Sequence, residues 1–493
     1  MTPPDAIVVG SGPNGLAAAL TLARAGVAVE VVEGAGTPGG GCRTENLTLP
    51  GFRHDVCSAV HPLAAASPFF RQADLAARGV SFRFPRVAFA HPLDGGRAAA
   101  VQGSVAETAQ GLGPDAAAYR GLFGPLVRDA ELIVPTVLAP LRSVPRHPLA
   151  MARFGVSSLA PASWLARRFS TDEGRALLAG VAAHAIRPLE APLTGGFGLL
   201  LTMLAHSVGW PVVEGGSVRL TEALTAELEA LGGKIVTGRW ISSLADLPSA
   251  RAILLDVTPR QLVTLAGDRL PAGYAAALRR FRYGSGICKV DWALAEPVRW
   301  TAEVCRETAT VHLGGTLDEI ARSESEVAAG RHPERPYCIV VQAGVADPTR
   351  APAGKQTLWA YCHVPPGSAV DMTGRIEAQI ERFAPGFRDL ILARFTTTAA
   401  LAEEHNPNYV GGDINGGAAT LRQTVVGPAP RWNPYRTAIP GVYLCSSSTP
   451  PGGGVHGMCG AGAASTALAD LGINSGRARL AARGSAHLDQ RGS

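Results

Sequence analysis

Charge is scarce in this chain. Asp, Glu, Lys and Arg make up only 17% of its 493 residues, and the formal net charge is +5. Basic residues occur as scattered pairs, such as Arg167 with Arg168 and Arg279 with Arg280, and never as a run, so no nucleic acid is expected as a partner. The eight cysteines stand at 42, 57, 288, 305, 338, 362, 445 and 459, and none is spaced C-x-x-C. Zinc ribbons and thioredoxin-type relays are therefore unsupported, no metal is expected, and the low density argues against a secreted disulfide framework. No apolar stretch is long enough to span a bilayer. No basic stretch with an apolar h-region precedes the first strand, so no signal peptide is expected. The default compartment is cytoplasmic, with association to a membrane surface left open. Hydrophobic residues are 46%, so the chain reads as globular, long enough for two or three domains with a large core.

What is present begins at Ala6. Ala6 to Val9 is an apolar run that reads as a buried parallel strand. Gly10, Gly12 and Gly15 follow in the spacing G-x-G-x-x-G, with Pro13 and Asn14 inside it. An Ala- and Leu-rich helix is expected over Asn14–Ala25, stopped by Gly26, and a second strand over Val27–Val32, closed by Glu33. Gly10 permits the tight turn, Gly12 the approach of backbone to a pyrophosphate, and Gly15 the close packing of helix on strand. The helix start offers free N–H groups to phosphate, and Glu33 sits where a carboxylate meets a ribose diol. A glycine triplet alone is weak; with strand, helix, strand and terminal acid around it, it points to a dinucleotide.

After Glu33 and Gly34 comes the doublet Gly39-Gly40, with Gly41 behind it. An acid ending the second strand and a glycine doublet soon after resemble the two-part fingerprint of FAD enzymes of the glutathione reductase and amine oxidase type. The arginine such enzymes place directly after the doublet is displaced here: Gly41 and Cys42 intervene, and Arg43 is expected to take the phosphate contact. Leu49–Pro62 resembles the segment that returns the chain toward the flavin in carotenoid-desaturase-like proteins, which puts His61 and Ser58 near the ring. Further on, Val213–Leu244 holds a helix over Thr221–Leu231 and strands at Lys234–Thr237 and Trp240–Leu244. The same resemblance implies an adenine contact near Ile241. Arg251–Val257 reads as another buried strand, and later strands are expected at Val304–Leu313, Tyr337–Val345 and Thr357–His363.

Near the end, Gly441–Leu468 runs GVYLCSSSTPPGGGVHGMCGAGAASTAL. Gly452, Gly454 and Gly457 repeat the triplet spacing, but no strand-terminal acid follows, so a second nucleotide site is rejected. The segment resembles the C-terminal flavin motif of phytoene desaturases. That likeness implies contacts from Ser446 and Ser447 and backbone donors around His456, Gly457 and Met458. Over most of its length the chain resembles the bacterial-type phytoene desaturase superfamily. It is nearest to the pyridine nucleotide-disulfide oxidoreductase domain-containing protein 2 branch, through NPNYVGGD, the CSSSTPPGGGVHGM run and the spacing between them.

The expected fold is α/β: a Rossmann-type FAD-binding domain with an inserted α+β substrate domain. Its parts are 1–67, 211–280 and 426–475 for the FAD domain, 68–210 for a mainly helical insertion, and 281–425 for a substrate domain with a mixed or antiparallel sheet. Residues 476–493 read as a flexible tail. Gly196–Val208 is strongly apolar and reads as a buried helix or as the wall of a substrate channel. Lys289, inside an apolar strand, needs water or a partner for its head. By resemblance to monoamine-oxidase-type proteins it holds a water against the flavin. In the Asn- and Gly-rich loop His405–Gly417, Asp413 and Asn415 are the side chains to test.

Lys289, His61 and Asp413 are thus the catalytic candidates. The expected activity is an FAD-dependent dehydrogenase or desaturase, taking hydride from a C–H bond of an apolar substrate. With no second nucleotide module and no disulfide relay, electrons leave to a diffusible acceptor, oxygen or a quinone. An amine oxidase with a cage drawn from Trp292, Tyr361, Trp432 and Tyr435, a polyene isomerase and a non-catalytic flavoprotein scaffold stay open. So do a membrane-surface contact and a homodimer.

Overall fold

The structure, a computed structural model, describes residues 4–140 and 147–473; the tail expected at 476–493 lies outside the described residues. Five parallel strands form a first sheet in the order Val442–Leu444, Ala252–Leu255, Ala6–Val9, Val29–Val32, Lys234–Val236. All of Ala6–Val9 is buried. Sheets covered on both faces need unbroken apolar strands, which is why this run shows no alternation. One cover is the first helix, Pro13–Ala23, packed against the tail helix, Met458–Asp470. Their approach is close: a Cβ on Gly460 would stand 1.8 Å from the Asn14 carbonyl oxygen.

A second sheet has seven strands in the order Ile391–Thr397, Gly286–Leu294, Gln356–Val364, Cys338–Val341, Thr310–Leu313, Phe89–Pro92, Ala98–Val101. Neighbours are antiparallel except Thr310–Leu313 beside Phe89–Pro92, which run parallel. The mixed sheet expected within 281–425 is present, but two of its strands come from the segment read as mainly helical. That hairpin is short, rich in alanine and carries Pro92, so its sequence gives little strand signal.

Two expected strands fail locally. Trp240–Leu244 forms none. Ser243 Oγ accepts from the Ala245 amide and Asp246 Oδ2 from the Ser243 amide, and this local capping folds Leu244–Asp246 into a 3-10 turn. Within Val304–Leu313 only Thr310–Leu313 is strand, preceded by a turn at Glu303–Arg306.

The two faces of the second sheet do different work. Val290, Trp292, Val340 and Leu358 belong to the core packed on the helix Thr373–Phe383, which faces them with Ile376, Ile380 and Phe383. The opposite face carries Thr310, Val341 and Trp359 on one rung and His312, Ile339 and Tyr361 on the next. Above it lie the helices of the insertion. The helix Thr194–Ser207 buries Leu199, Met203 and Leu204 on one side while Phe197 and Leu200 border a cavity on another. No helix among the described residues is long and apolar enough to cross a membrane.

Candidate active site

A cavity of about 1050 Å³ runs from the ends of the first sheet to the second. Its first end is built by the opening strand and helix. Gly10 turns the chain at φ +95°, and Gly15 packs so closely that a Cβ would lie 2.1 Å from the Gly10 carbonyl oxygen. The first helix starts at Gly12 with no capping side chain, so its N-terminal amides are left to other partners. Glu33 borders the cavity with its carboxylate fixed: Oε2 accepts from the Ser11 amide at 2.8 Å and Oε1 from the Ala35 amide at 2.8 Å. Gly40, at φ +54°, lies on the first turn, where its Cβ would meet Gly12 Cα at 3.0 Å.

Gly10, Gly12, Pro13, Asn14, Glu33, Gly34, Gly40, Gly41, Arg43 and Ile241 all line this end, as expected for a dinucleotide site. Gly15 stands behind them. The fit is tested by what lacks a hydrogen bond: Asn14 Oδ1 and Arg43 Nε are buried without one, Arg43 Nε standing 3.8 Å from Glu45 Oε1, and both residues are in the wall. A phosphate-bearing ligand in the cavity fits the charge that the Arg43 guanidinium brings to this wall. Trp240 stands beside Gly34, 2.6 Å from where a Cβ would be.

Asp256 is not among the expected residues. It follows the strand Ala252–Leu255, at the carboxyl edge of a parallel sheet where ligands gather. Its Oδ2 accepts from the Gly15 amide at 2.9 Å, at the start of the first helix. Burial, with Glu33 adding repulsion against that hydrogen bond, pushes its carboxyl up to about 7.

The tail closes the cavity with Ser447 and the stretch Gly452–His456. Ser446 is turned away and donates to the Val257 carbonyl at 2.7 Å. Gly457 and Met458 do not reach the wall, and for Met458 this corrects the expectation that its amide faces the cofactor. Gly457 is packed on Phe69 and Ala17, and the Met458 amide is taken by His456 Nδ1 at 3.0 Å. That bond fixes the proton of His456 on Nε2, which donates to the Gly452 carbonyl at 3.1 Å. Burial keeps the ring neutral, its pKa lowered to about 4.

The far end is apolar: Phe154, Phe197, Leu200, Ile339 and Val341 line it with Trp359 and Tyr361, whose rings stack at 5.6 Å and 13°. Trp359 and Tyr361 are alternate residues of one strand and share its face. Of the aromatic residues named for a cage, only Tyr361 is here. Trp292 is buried on the other face of the sheet, Tyr435 donates to the Pro450 carbonyl, and Trp432 is 85% exposed.

The three catalytic candidates separate. His61 lines the cavity, its Nε2 2.8 Å from Ser217 Oγ, and burial lowers its pKa to about 4. Asp413 is not in the wall; its oxygens accept from the Gly284 and Asn415 amides at 2.7 and 2.8 Å, shaping the loop, and Asn415 takes the lining position. Lys289 is not in the wall either. Its ammonium is 2.6 Å from Asp291 Oδ1 and 5.2 Å from the Trp359 ring centre, so the partner it needed is a buried carboxylate.

Residues 8–73 match the NAD(P)-binding Rossmann-like domain family. Around it, the chain is 24% identical to the rat (Rattus norvegicus) pyridine nucleotide-disulfide oxidoreductase domain-containing protein 2, over 95% of this chain and 94% of that protein. It is also 24% identical to a limonene dehydrogenase polypeptide of Castellaniella defragrans, over 95% of each. An oxidoreductase of Methanosarcina mazei shares the fold at TM-score 0.61 and 18% identity, covering 94% of this chain and 99% of its own. Cyclohexylamine oxidase of Brevibacterium oxydans shares it at TM-score 0.59 and 15% identity, covering 96% and 100%. The Rossmann-like match thus sits in an α/β fold shared with these solved structures, and the resemblance to the pyridine nucleotide-disulfide oxidoreductase domain-containing protein 2 branch stands.

Proposed function

We propose that this chain is an FAD-dependent oxidoreductase, a dehydrogenase or desaturase acting on a C–H bond of a largely apolar organic substrate. The observation that carries this reading is the continuous cavity joining the dinucleotide cradle to the apolar chamber under Trp359 and Tyr361. Its volume, about 1050 Å³, lies at the top of the usual ligand range and leaves room for cofactor and substrate together.

When bound, FAD supplies the hydride acceptor and the protein supplies placement. Glu33 meets the ribose, Arg43 and the amides of the first helix meet phosphate, and Gly452–Gly454 bring bare backbone to the cavity. Phe154, Phe197, Leu200 and Ile339 exclude water from the reacting carbon. The limonene dehydrogenase relative supports an apolar substrate. The electron acceptor is a diffusible oxidant, oxygen or a quinone.

A second reading, an amine oxidase, is favoured by the stacked pair Trp359 and Tyr361 and by the cyclohexylamine oxidase neighbour. The test is anaerobic titration of the purified yellow protein with a panel of terpenoid, fatty, alcohol and amine compounds. Bleaching of the flavin band by a hydrocarbon or alcohol supports the first reading, and bleaching by amines alone the second. A protein purified without flavin, and unable to take it up, overturns both.

A further inference from the structure

The apolar chamber has a polar feature that neither the cofactor site nor the hydride step uses. His184 stands in its wall beside Trp210, ring centres 6.4 Å apart. Its Nε2 is 2.9 Å from Nε2 of His312, and the rings are nearly perpendicular at 86°. Burial holds both rings neutral: His184 is lowered to about 3 and His312 well below its ordinary value. Two neutral imidazoles facing each other through Nε2 share one proton between those atoms, so one ring donates and the other accepts.

The direction is set by His312. Its Nδ1 is buried and has no partner. A proton there would leave an orphaned N–H in the core, which costs more than an orphaned lone pair. His312 therefore carries its proton on Nε2 and donates to His184. That leaves His184 with its proton on Nδ1. This N–H meets no protein acceptor among the described residues, and the ring borders the cavity.

The neighbourhood repeats the pattern. His312, Ile339 and Tyr361 form one rung of the second sheet, so Tyr361 lies two strands, about 10 Å, from His312. Its hydroxyl has no protein partner among the described residues. On the next rung, Nε1 of Trp359 is unpartnered too, but it is buried behind the wall and does not face the cavity. His184 and Tyr361 thus bring donors without protein acceptors to this wall, and such donors call for an acceptor from the occupant.

We propose that the substrate of this chamber is an oxygenated apolar molecule, and that its carbonyl, ether or hydroxyl oxygen accepts a hydrogen bond from His184 Nδ1. His312 is a positioning residue that fixes the tautomer. This rests on the reading of the chamber as the substrate end of the FAD site. A plain hydrocarbon fills the same apolar space and leaves the His184 donor unpaired.

The test uses the FAD-loaded protein and two probes of one skeleton, p-menthane and its ketone, menthone. Dissociation constants are read from quenching of tryptophan fluorescence and from perturbation of the visible flavin band. The ketone is expected to bind about five-fold tighter than the hydrocarbon, the worth of one net hydrogen bond. His184→Phe abolishes that preference while hydrocarbon binding persists, and His184→Gln, which keeps an N–H donor, restores part of it. Equal affinity of the two probes for the parent overturns the proposal, as does a preference that survives in His184→Phe. Failure of both probes to bind the parent overturns the substrate-chamber reading beneath it.

Discussion

The Asp256 carboxylate receives the Gly15 amide at 2.9 Å, at the helix start that a phosphate would otherwise claim. An anion built into an anion site makes the site sensitive to proton concentration. The folded pKa, about 7, lies above the ordinary 3.8. The native state therefore keeps a proton that the unfolded chain releases, and this contribution to stability is lost as pH rises from about 4 through 7. Asp256→Asn removes the loss. The stability difference between variant and parent is expected to grow in the variant's favour across that window in urea titrations. FAD, itself an anion, is expected to dissociate more readily from the parent above pH 7 than below it, with the dependence flattened in Asp256→Asn. Parallel stability curves for the two proteins contradict the assignment.

Buried histidines act in the opposite sense. His61, His91, His206 and His456 are lowered to about 4 by burial, from 6.5. Their folded values lie below the unfolded one, so the stability they allow is present above pH 6.5 and is lost as pH falls through about 4. The thermal midpoint is expected to drop steeply over that interval. A midpoint flat from pH 7 to 4 would mean these rings are not held neutral.

Glu33→Ala deletes the carboxylate that faces the cavity at the end of the second strand. Hydrogen bonds to a charged acceptor contribute about 1.5–3 kcal/mol each, so FAD affinity is expected to fall at least about ten-fold. The check is flavin content after gel filtration, against the parent. Full retention rules out the ribose contact.

Glu33 was legible because the dinucleotide cradle writes itself into residue type. Only glycine tolerates the 2.1 Å approach at Gly15, and the acid that closes the second strand marks the cavity's edge, so spacing along the chain was enough to place both. The chamber was not legible in the same way. Trp359 and His312 come within reach of one cavity through strand pairing between distant segments, and no local pattern reports a register. Met458 failed for another reason: the His456 ring intercepts its amide, a side-chain choice that spacing does not reveal. Asp413 reads as catalytic in the sequence, but its carboxylate serves backbone amides, that of Asn415 in its own loop and that of Gly284 beside the second sheet.

Lys289 and Asp291 form a buried ion pair, at side-chain exposures of 5% and 0%. Removing one partner strands the other charge. Lys289→Met is expected to cost about 3–5 kcal/mol of stability, and Lys289→Met with Asp291→Asn to recover most of it. Chemical denaturation of the single and double variants decides. A single variant as stable as the parent would free Lys289 for a different task.

The strand Val442–Leu444 forms the edge of the first sheet against Ala252–Leu255, and Gly460 brings the tail helix within touching distance of Asn14. Translation delivers the glycine turn long before its cover. Until residues 442–470 leave the ribosome, Ala252–Leu255 has a bare flank and the first helix an uncovered side. Closure of the nucleotide cleft is thereby deferred until that segment emerges, and a message cut short before residue 442 yields a chain with the cleft standing open.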